Sequence, residues 1–143
     1  MMPKYFLTIE YDGRCFAGWQ RQPGQPTVQE HIENAFCAIG EQNVLVYGAG
    51  RTDAGVHAWN MVAHVKVERA WSVRKLPLAL NAHLNRQNVG IVSAHLVSNE
   101  AHARFDAICR SYVYVFLDRG APSPFTPWSC VVASPHAECC RHG

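Results

Sequence analysis

The sequence predicts an α+β domain of the ferredoxin-like, split-βαβ type. Three observations predict it. Alternating apolar segments mark strands, two segments of helical period separate them, and the order is β-α-β-β-α-β plus an extra strand. A chain of 143 residues suits one compact domain, and nearly half its residues are apolar, enough for a real core.

Residues 5–11 alternate, with Tyr5, Leu7 and Ile9 on one face, and form the first strand. Asp12-Gly13 ends it as a turn. Residues 18–26 are a polar loop rich in Gln, Gly and Pro. Thr27-Val28-Gln29-Glu30 has the pattern of a capping box, Thr27 capping the helix start and Glu30 reaching back. The helix places Val28, Ile32, Ala35, Phe36 and Ile39 on one side and ends at Gly40. A β-branched run at 44–47 gives a second strand that leads into Gly48-Ala49-Gly50. Residues 61–68 alternate as a third strand. Ser72 caps a second helix reaching Leu84, which Pro77 obliges to start late or kink. Residues 89–97 form a fourth strand and 110–117 a fifth. In the fifth, Tyr112, Tyr114 and Phe116 share one face, and Val113, Val115 and Leu117 the other. Pro122, Pro124 and Pro127 mark 119–127 as linker or irregular loop, and no element is expected after Trp128. The domain is therefore expected over residues 1–118, with a linker and irregular, aberrant tail over 119–143.

A formal charge of +2 is too small to argue for nucleic acid by itself. Ten of the thirteen basic residues are Arg, which suits forked phosphate contacts and stacking on bases, or reflects an Arg-biased proteome. No apolar run approaches membrane-spanning length, so no membrane partner is expected. The start lacks the features of a signal peptide, which predicts a cytoplasmic protein with free thiols. Cys15, Cys37 and Cys109 are expected as small buried hydrophobes. No metal is expected: the eight His show no ligand spacing, and Cys139-Cys140-Arg141-His142 lacks that of a zinc site.

Arg51-Thr52-Asp53-Ala54-Gly55 follows a short strand and two glycines, which allow a sharp turn and close approach to another molecule. An Asp on such a loop can be aimed into a cleft, and Arg51 can pair with it and keep it ionised. An ionised carboxylate is a competent nucleophile or base. The same residues fit a plain Asx-turn, with Asp53 bonding nearby backbone and Gly55 at positive φ. Tyr112 suits either a strand core or a stacking surface, and Trp19 either a core or an RNA contact. Arg14, Arg21, Arg104 and Arg110 are candidates for phosphate contacts, or ordinary surface charges.

Gly50-Arg51-Thr52-Asp53-Ala54-Gly55-Val56-His57 resembles the signature of the tRNA pseudouridine synthase A family. Glu10-Tyr11-Asp12-Gly13, Gly18-Trp19-Gln20-Arg21-Gln22 and Thr27-Val28-Gln29-Glu30 resemble that family's opening in the same order. His102-Ala103-Arg104-Phe105 followed by Arg110-Ser111-Tyr112-Val113-Tyr114 resembles its later motif. The resemblance implies half of a pseudouridine synthase fold and isomerisation of uridine to pseudouridine in the anticodon stem-loop of tRNA, at positions 38 to 40. It implies Asp53 as the catalytic carboxylate, Tyr112 packing on the target uracil, and Arg51 pairing with the Asp and holding the nucleotide out of its stack. It implies tRNA as partner, a homodimer and no cofactor. Where the family has Pro after Leu84, Asn85 stands here. The family's second half has no counterpart, so the match is to an amino-terminal half. The chain is expected to be a fragment or to reflect a premature stop or a shifted reading frame, and to be compromised in activity alone. The alternative is a noncatalytic RNA-binding module of the same fold. Such a module expects a Lys/Arg-Gly-aromatic-Gly-aromatic strand, and the fifth strand supplies the aromatics without the glycines.

Overall fold

A computed structural model of the chain describes residues 2–115, 118 and 120–121, and the backbone alone of 130–134. In chain order the elements are β1 (Lys4–Tyr11), a 3₁₀ turn (Gly13–Cys15), α1 (Val28–Ala38), β2 (Tyr47–Gly48), β3 (His57–Lys66), α2 (Lys75–Leu84), β4 (Val89–Val97), β5 (Ser111–Val115) and β6 (Cys130–Ser134). β1 lies between β3 and β4, antiparallel to both. The far edge of β3 is divided. β2 pairs antiparallel opposite Ala63 and His64, and β6 pairs parallel opposite His57 and Ala58. β5 extends the sheet beyond β6, giving the order β4-β1-β3-β6-β5. The antiparallel β4-β1-β3-β2 sheet and two helices form the expected ferredoxin-like half-domain.

Local chemistry accounts for the element ends. Thr27 has extended backbone and its hydroxyl accepts the Glu30 N–H at 3.3 Å. The Glu30 carboxylate lies 3.7 Å from the Arg21 guanidinium. Gly40, at φ +91°, ends α1: its N–H donates to Cys37 O, and that of Glu41 to Phe36 O. α2 starts at Lys75, so Pro77 is its third residue, where an amide has no partner within the helix in any case.

Both helices cover one sheet face. Val28, Ile32 and Phe36 of α1 and Leu76, Leu80 and Leu84 of α2 are buried with Leu7, Ile9, Met61, Val65 and Ile91. Each large apolar side chain so buried contributes about 1.5–3 kcal/mol. Part of the opposite face lies under residues 103–109. A cavity of about 400 Å³ lies there, lined by Phe6, Val62, His95 and Cys109 among others.

Four expectations are corrected. Only Tyr47 and Gly48 of the second predicted strand pair; Val44 and Val46 serve instead as buried core residues. The third strand begins four residues early, at His57. A strand follows Trp128 where none was expected, because β6 finds partners in both β3 and β5. Cys15 and Cys37 are exposed rather than buried. Phe116, Leu117, the prolines of 119–127 and the Cys139–His142 cluster lie outside the described residues. Among the described residues no helix is long and apolar enough to cross a membrane.

Candidate functional site

The loop between β2 and β3 carries the Asp53 motif. Its first residue, Ala49, is buried and donates its N–H to Val62 O at 2.7 Å. Thr52 turns inward and is buried between two exposed neighbours, Arg51 and Asp53. Its hydroxyl is 2.7 Å from the Tyr11 hydroxyl, and its carbonyl accepts the Trp19 N–H at 3.0 Å. The turn is then closed by backbone: Val56 N–H donates to Asp53 O at 3.2 Å, with Gly55 at φ +81°. The carboxylate of Asp53 is not used in that turn. Among the described residues it has no hydrogen-bond partner, and the expected ion pair with Arg51 is not made.

Arg51 lines a cleft of about 520 Å³ together with Gln20, Arg104, Phe105, Arg110 and Tyr112. The three arginines brought there, Arg51, Arg104 and Arg110, are those of the loop and the later motif. Arg110 donates through Nε and Nη2 to Ala49 O, at 3.1 and 2.7 Å, and through Nη2 to Arg104 O at 2.9 Å. It thus ties the β2–β3 loop to the 102–106 turn. Tyr112 on β5 is half exposed. Its phenol is close enough to Tyr11 to act on it electrostatically. Burial, against the Thr52 hydrogen bond and with that contribution from Tyr112, pushes the Tyr11 phenol up to about 12. Asp53 is not among the residues lining the cleft.

Arg14 and Arg21 stand apart from the cleft, held by carboxylates. Arg14 Nε is 3.0 Å from Asp12 Oδ1, and this hydrogen bonding holds the Asp12 carboxyl down to about 2. Arg21 reaches the largely buried Glu33 through Nε at 2.9 Å and Nη2 at 2.8 Å. Glu33 in turn accepts the Val46 N–H at 3.1 Å, just before β2. Trp19 is buried, in tilted contact with Tyr11 at 6.1 Å.

Sequence reasoning missed a stack that seats the 102–106 turn. The Tyr47 ring lies on His64 at 5.0 Å, His64 meets His102 at 4.4 Å, and His102 meets Phe105 at 4.2 Å. His64 is buried and its Nδ1 accepts the Ala103 N–H at 3.1 Å. Burial, then the charges of Lys4, His102 and Lys66, push its pKa down to about 4, so the ring is neutral at pH 7. The only sequence signal was a His on the outward face of a strand, which has many ordinary explanations.

A family model described as tRNA pseudouridine synthase matches residues 7–106. Similar proteins include ones named tRNA pseudouridine synthase A in the following three bacteria. That of Maricaulis maris is 50% identical over 121 residues, covering 85% of this chain and 49% of the relative. That of Caulobacter sp. strain K31 gives the same identity and coverage. That of Dinoroseobacter shibae is 48% identical over 122 residues, covering 85% and 48%. The chain spans about half the length of the curated relatives it matches.

Proposed function

Because the chain belongs to the tRNA pseudouridine synthase family, we propose that it isomerises uridine to pseudouridine in the anticodon stem-loop of tRNA, with Asp53 as the catalytic carboxylate. The observation that carries this reading is the state of Asp53. It sits on a loop fixed by its neighbours, yet its own carboxylate is exposed and uncommitted among the described residues. A plain Asx-turn would have used it.

The reaction breaks the N1–C1′ bond, turns the uracil and rejoins it through C5. It changes no oxidation state, so the reading needs no cofactor. Asp53 acts either on C1′, as the carboxylate of a retaining glycosidase does, or as a base on a sugar proton. In both routes the uridine must leave its stack, which costs a few kcal/mol. Stacking on an aromatic returns about 1–3 kcal/mol per base, and Tyr112 is assigned that part. Arg51 and Arg104 face the cleft where phosphate oxygens would pass, and Arg110 holds the two segments that carry them.

In this reading residues 1–118 are the domain carrying the site, to whose sheet the strand at 130–134 adds. The protein works in the cytoplasm as a homodimer, which sedimentation equilibrium tests. The exposed aromatics of β5 favour a second reading, a noncatalytic RNA-binding module. Tritium release from uracil C5 of unmodified tRNA separates the two. Release that disappears in Asp53→Ala is expected. Release that survives in that variant overturns the catalytic assignment, and an inactive parent chain that still binds tRNA favours the second reading.

A further inference from the structure

Two of the ordered motifs, Glu10-Tyr11-Asp12-Gly13 and Gly18-Trp19, have no part in the chemistry described so far. Both lie against the Asp53 loop. A bulge between Ile9 and Tyr11 shifts the β1 register and sets Tyr11 opposite Ala58, at the base of that loop. We propose that these two segments form a brace for the loop, and that the Tyr11 phenol is a positioning residue that acts on Asp53 through Thr52.

The brace grips the loop on both sides of Asp53. Before it, Thr52 is held by side chain and by backbone. Its hydroxyl meets the Tyr11 hydroxyl at 2.7 Å, and its carbonyl meets the Trp19 N–H at 3.0 Å. A Cβ on Gly18 would lie 2.7 Å from that same carbonyl oxygen, so the approach requires glycine there. After Asp53, a Cβ on Gly13 would lie 1.9 Å from Val56 O. The Gly13 N–H donates to His57 Nδ1 at 3.1 Å, with Asp12 Oδ1 3.2 Å from the same nitrogen. Residues 52 and 56–57 are therefore pinned, and Asp53, Ala54 and Gly55 form the short span between them.

Tyr11 is the part of this brace that can be removed cleanly. Its ring packs edge-on to Phe16 at 6.5 Å and tilted to Trp19 at 6.1 Å, contacts that a phenylalanine would keep. The hydroxyl is the group that hydrogen-bonds Thr52. Tyr11 and Thr52 are both buried, so removing one hydroxyl leaves the other without water to replace it. Tyr11 does not touch substrate in this scheme; it fixes the residue before the carboxylate. A displacement of a catalytic group by about 1 Å is costly to rate while leaving substrate affinity intact.

The kinetic part of the inference rests on Asp53 being the catalytic carboxylate; the mechanical part does not. The test therefore has two readouts, on the full chain with Tyr11→Phe, Thr52→Val, the double variant and Thr52→Ser. In amide hydrogen exchange, the Val56 and Trp19 N–H groups are expected to exchange about tenfold faster in Tyr11→Phe, the size of one lost hydrogen bond. The Leu7 amide, in the β1 ladder, should not change. In tritium release, kcat is expected to fall about tenfold with KM for tRNA unchanged. The double variant should be no worse than either single one, and Thr52→Ser should retain the parent rate. Unchanged exchange at Val56 and Trp19 overturns the brace, as does acceleration that includes Leu7, which would be general destabilisation. If the parent shows no Asp53-dependent release, the proposed reaction fails while the exchange result still decides the brace.

Discussion

Glu41 offers a quantitative test of the fold that is independent of any chemistry at the cleft. Its side chain is fully buried just beyond α1. Its Oε2 accepts the Glu68 N–H at 2.8 Å. Its Oε1 accepts Trp71 Nε1 at 2.8 Å, Arg69 Nε at 3.2 Å and the Arg69 N–H at 3.3 Å. Burial pushes this carboxyl's pKa up, but the four donors outweigh it and hold the pKa below its ordinary value of 4.5. In Glu41→Gln, one oxygen becomes an amide. If the amide takes the Oε2 position, it faces the Glu68 N–H and that bond is lost. The three bonds at Oε1 survive without a charge to strengthen them. One buried donor left unpaired costs about 1–3 kcal/mol, and weaker bonds at Oε1 add to it. Relief from burying a charge offsets part of this. The net loss is about 2–3 kcal/mol, or about 6–12 °C in Tm for a chain of this size. The pH dependence follows from the lowered folded pKa. Stability from Glu41 is fully present above its unfolded value and is lost as pH falls through the folded value. Urea unfolding of parent and variant at a series of pH values is the assay. The gap should be constant above about pH 5.5 and narrow steadily below 4.5. A variant as stable as the parent at pH 7, or a gap that ignores pH, would refute the reasoning.

Three further outcomes concern the cleft and the turn seated beside it. His64 is expected to remain neutral down to a midpoint near 4, read from its ring proton shifts by NMR. Because that folded value is depressed, its contribution to stability is complete above 6.5 and is lost as pH falls from 6.5 towards 4; a midpoint above 6 would break the assignment of Nδ1 as acceptor for Ala103. Arg104→Ala should lower the salt dependence of tRNA binding by about 0.7–0.9 of a unit in slope, as expected for one lost phosphate contact. Arg110→Lys keeps its charge but loses the forked grip on Ala49 O and Arg104 O, so binding should weaken with the slope unchanged. Equal slopes for both variants would contradict the division of labour between them.

The elements that could be read from the sequence are those whose signals are local. The alternation of β1, the Thr27 cap with Gly40 behind it, and the whole of β4 depend on neighbours a few residues away. The elements misread depend on partners far along the chain. Val44 and Val46 have strand composition, but their place is in the core, and only Tyr47 and Gly48 reach the β3 edge. The Cys130–Ser134 run is short and apolar, and nothing beside it says that β3 and β5 will both accept it. At the site, Asp53, Arg51 and Tyr112 were legible only as matches to a family's motifs. Their arrangement was not legible. The spacing of Arg51 and Asp53 allowed an ion pair, and among the described residues it is not made.

Glycine shows most directly why motif and meaning separate. In a single sequence, Asp12-Gly13, Gly18 and Gly48 all read as places where the chain bends. Of these, only Gly18 takes a positive φ, at +104°. Gly13 and Gly48 have backbones that other residues adopt, and what excludes a side chain is another part of the molecule. At Gly13 it is the carbonyl of Val56, and at Gly48 it is the Trp19 ring, 2.8 Å from where a Cβ would sit. Each of these contacts joins one motif to the next: the turn after β1 to the end of the Asp53 loop, and the Gly-Trp loop to its beginning. Motifs that lie 43 and 29 residues apart in sequence are thus one structure, and glycine marks their points of contact. An alanine at Gly13 should then disturb Asp53 more than one at Gly24, which has the positive φ of a turn but nothing within 4 Å of its Cβ position. The difference between those two substitutions measures contact against conformation at the site.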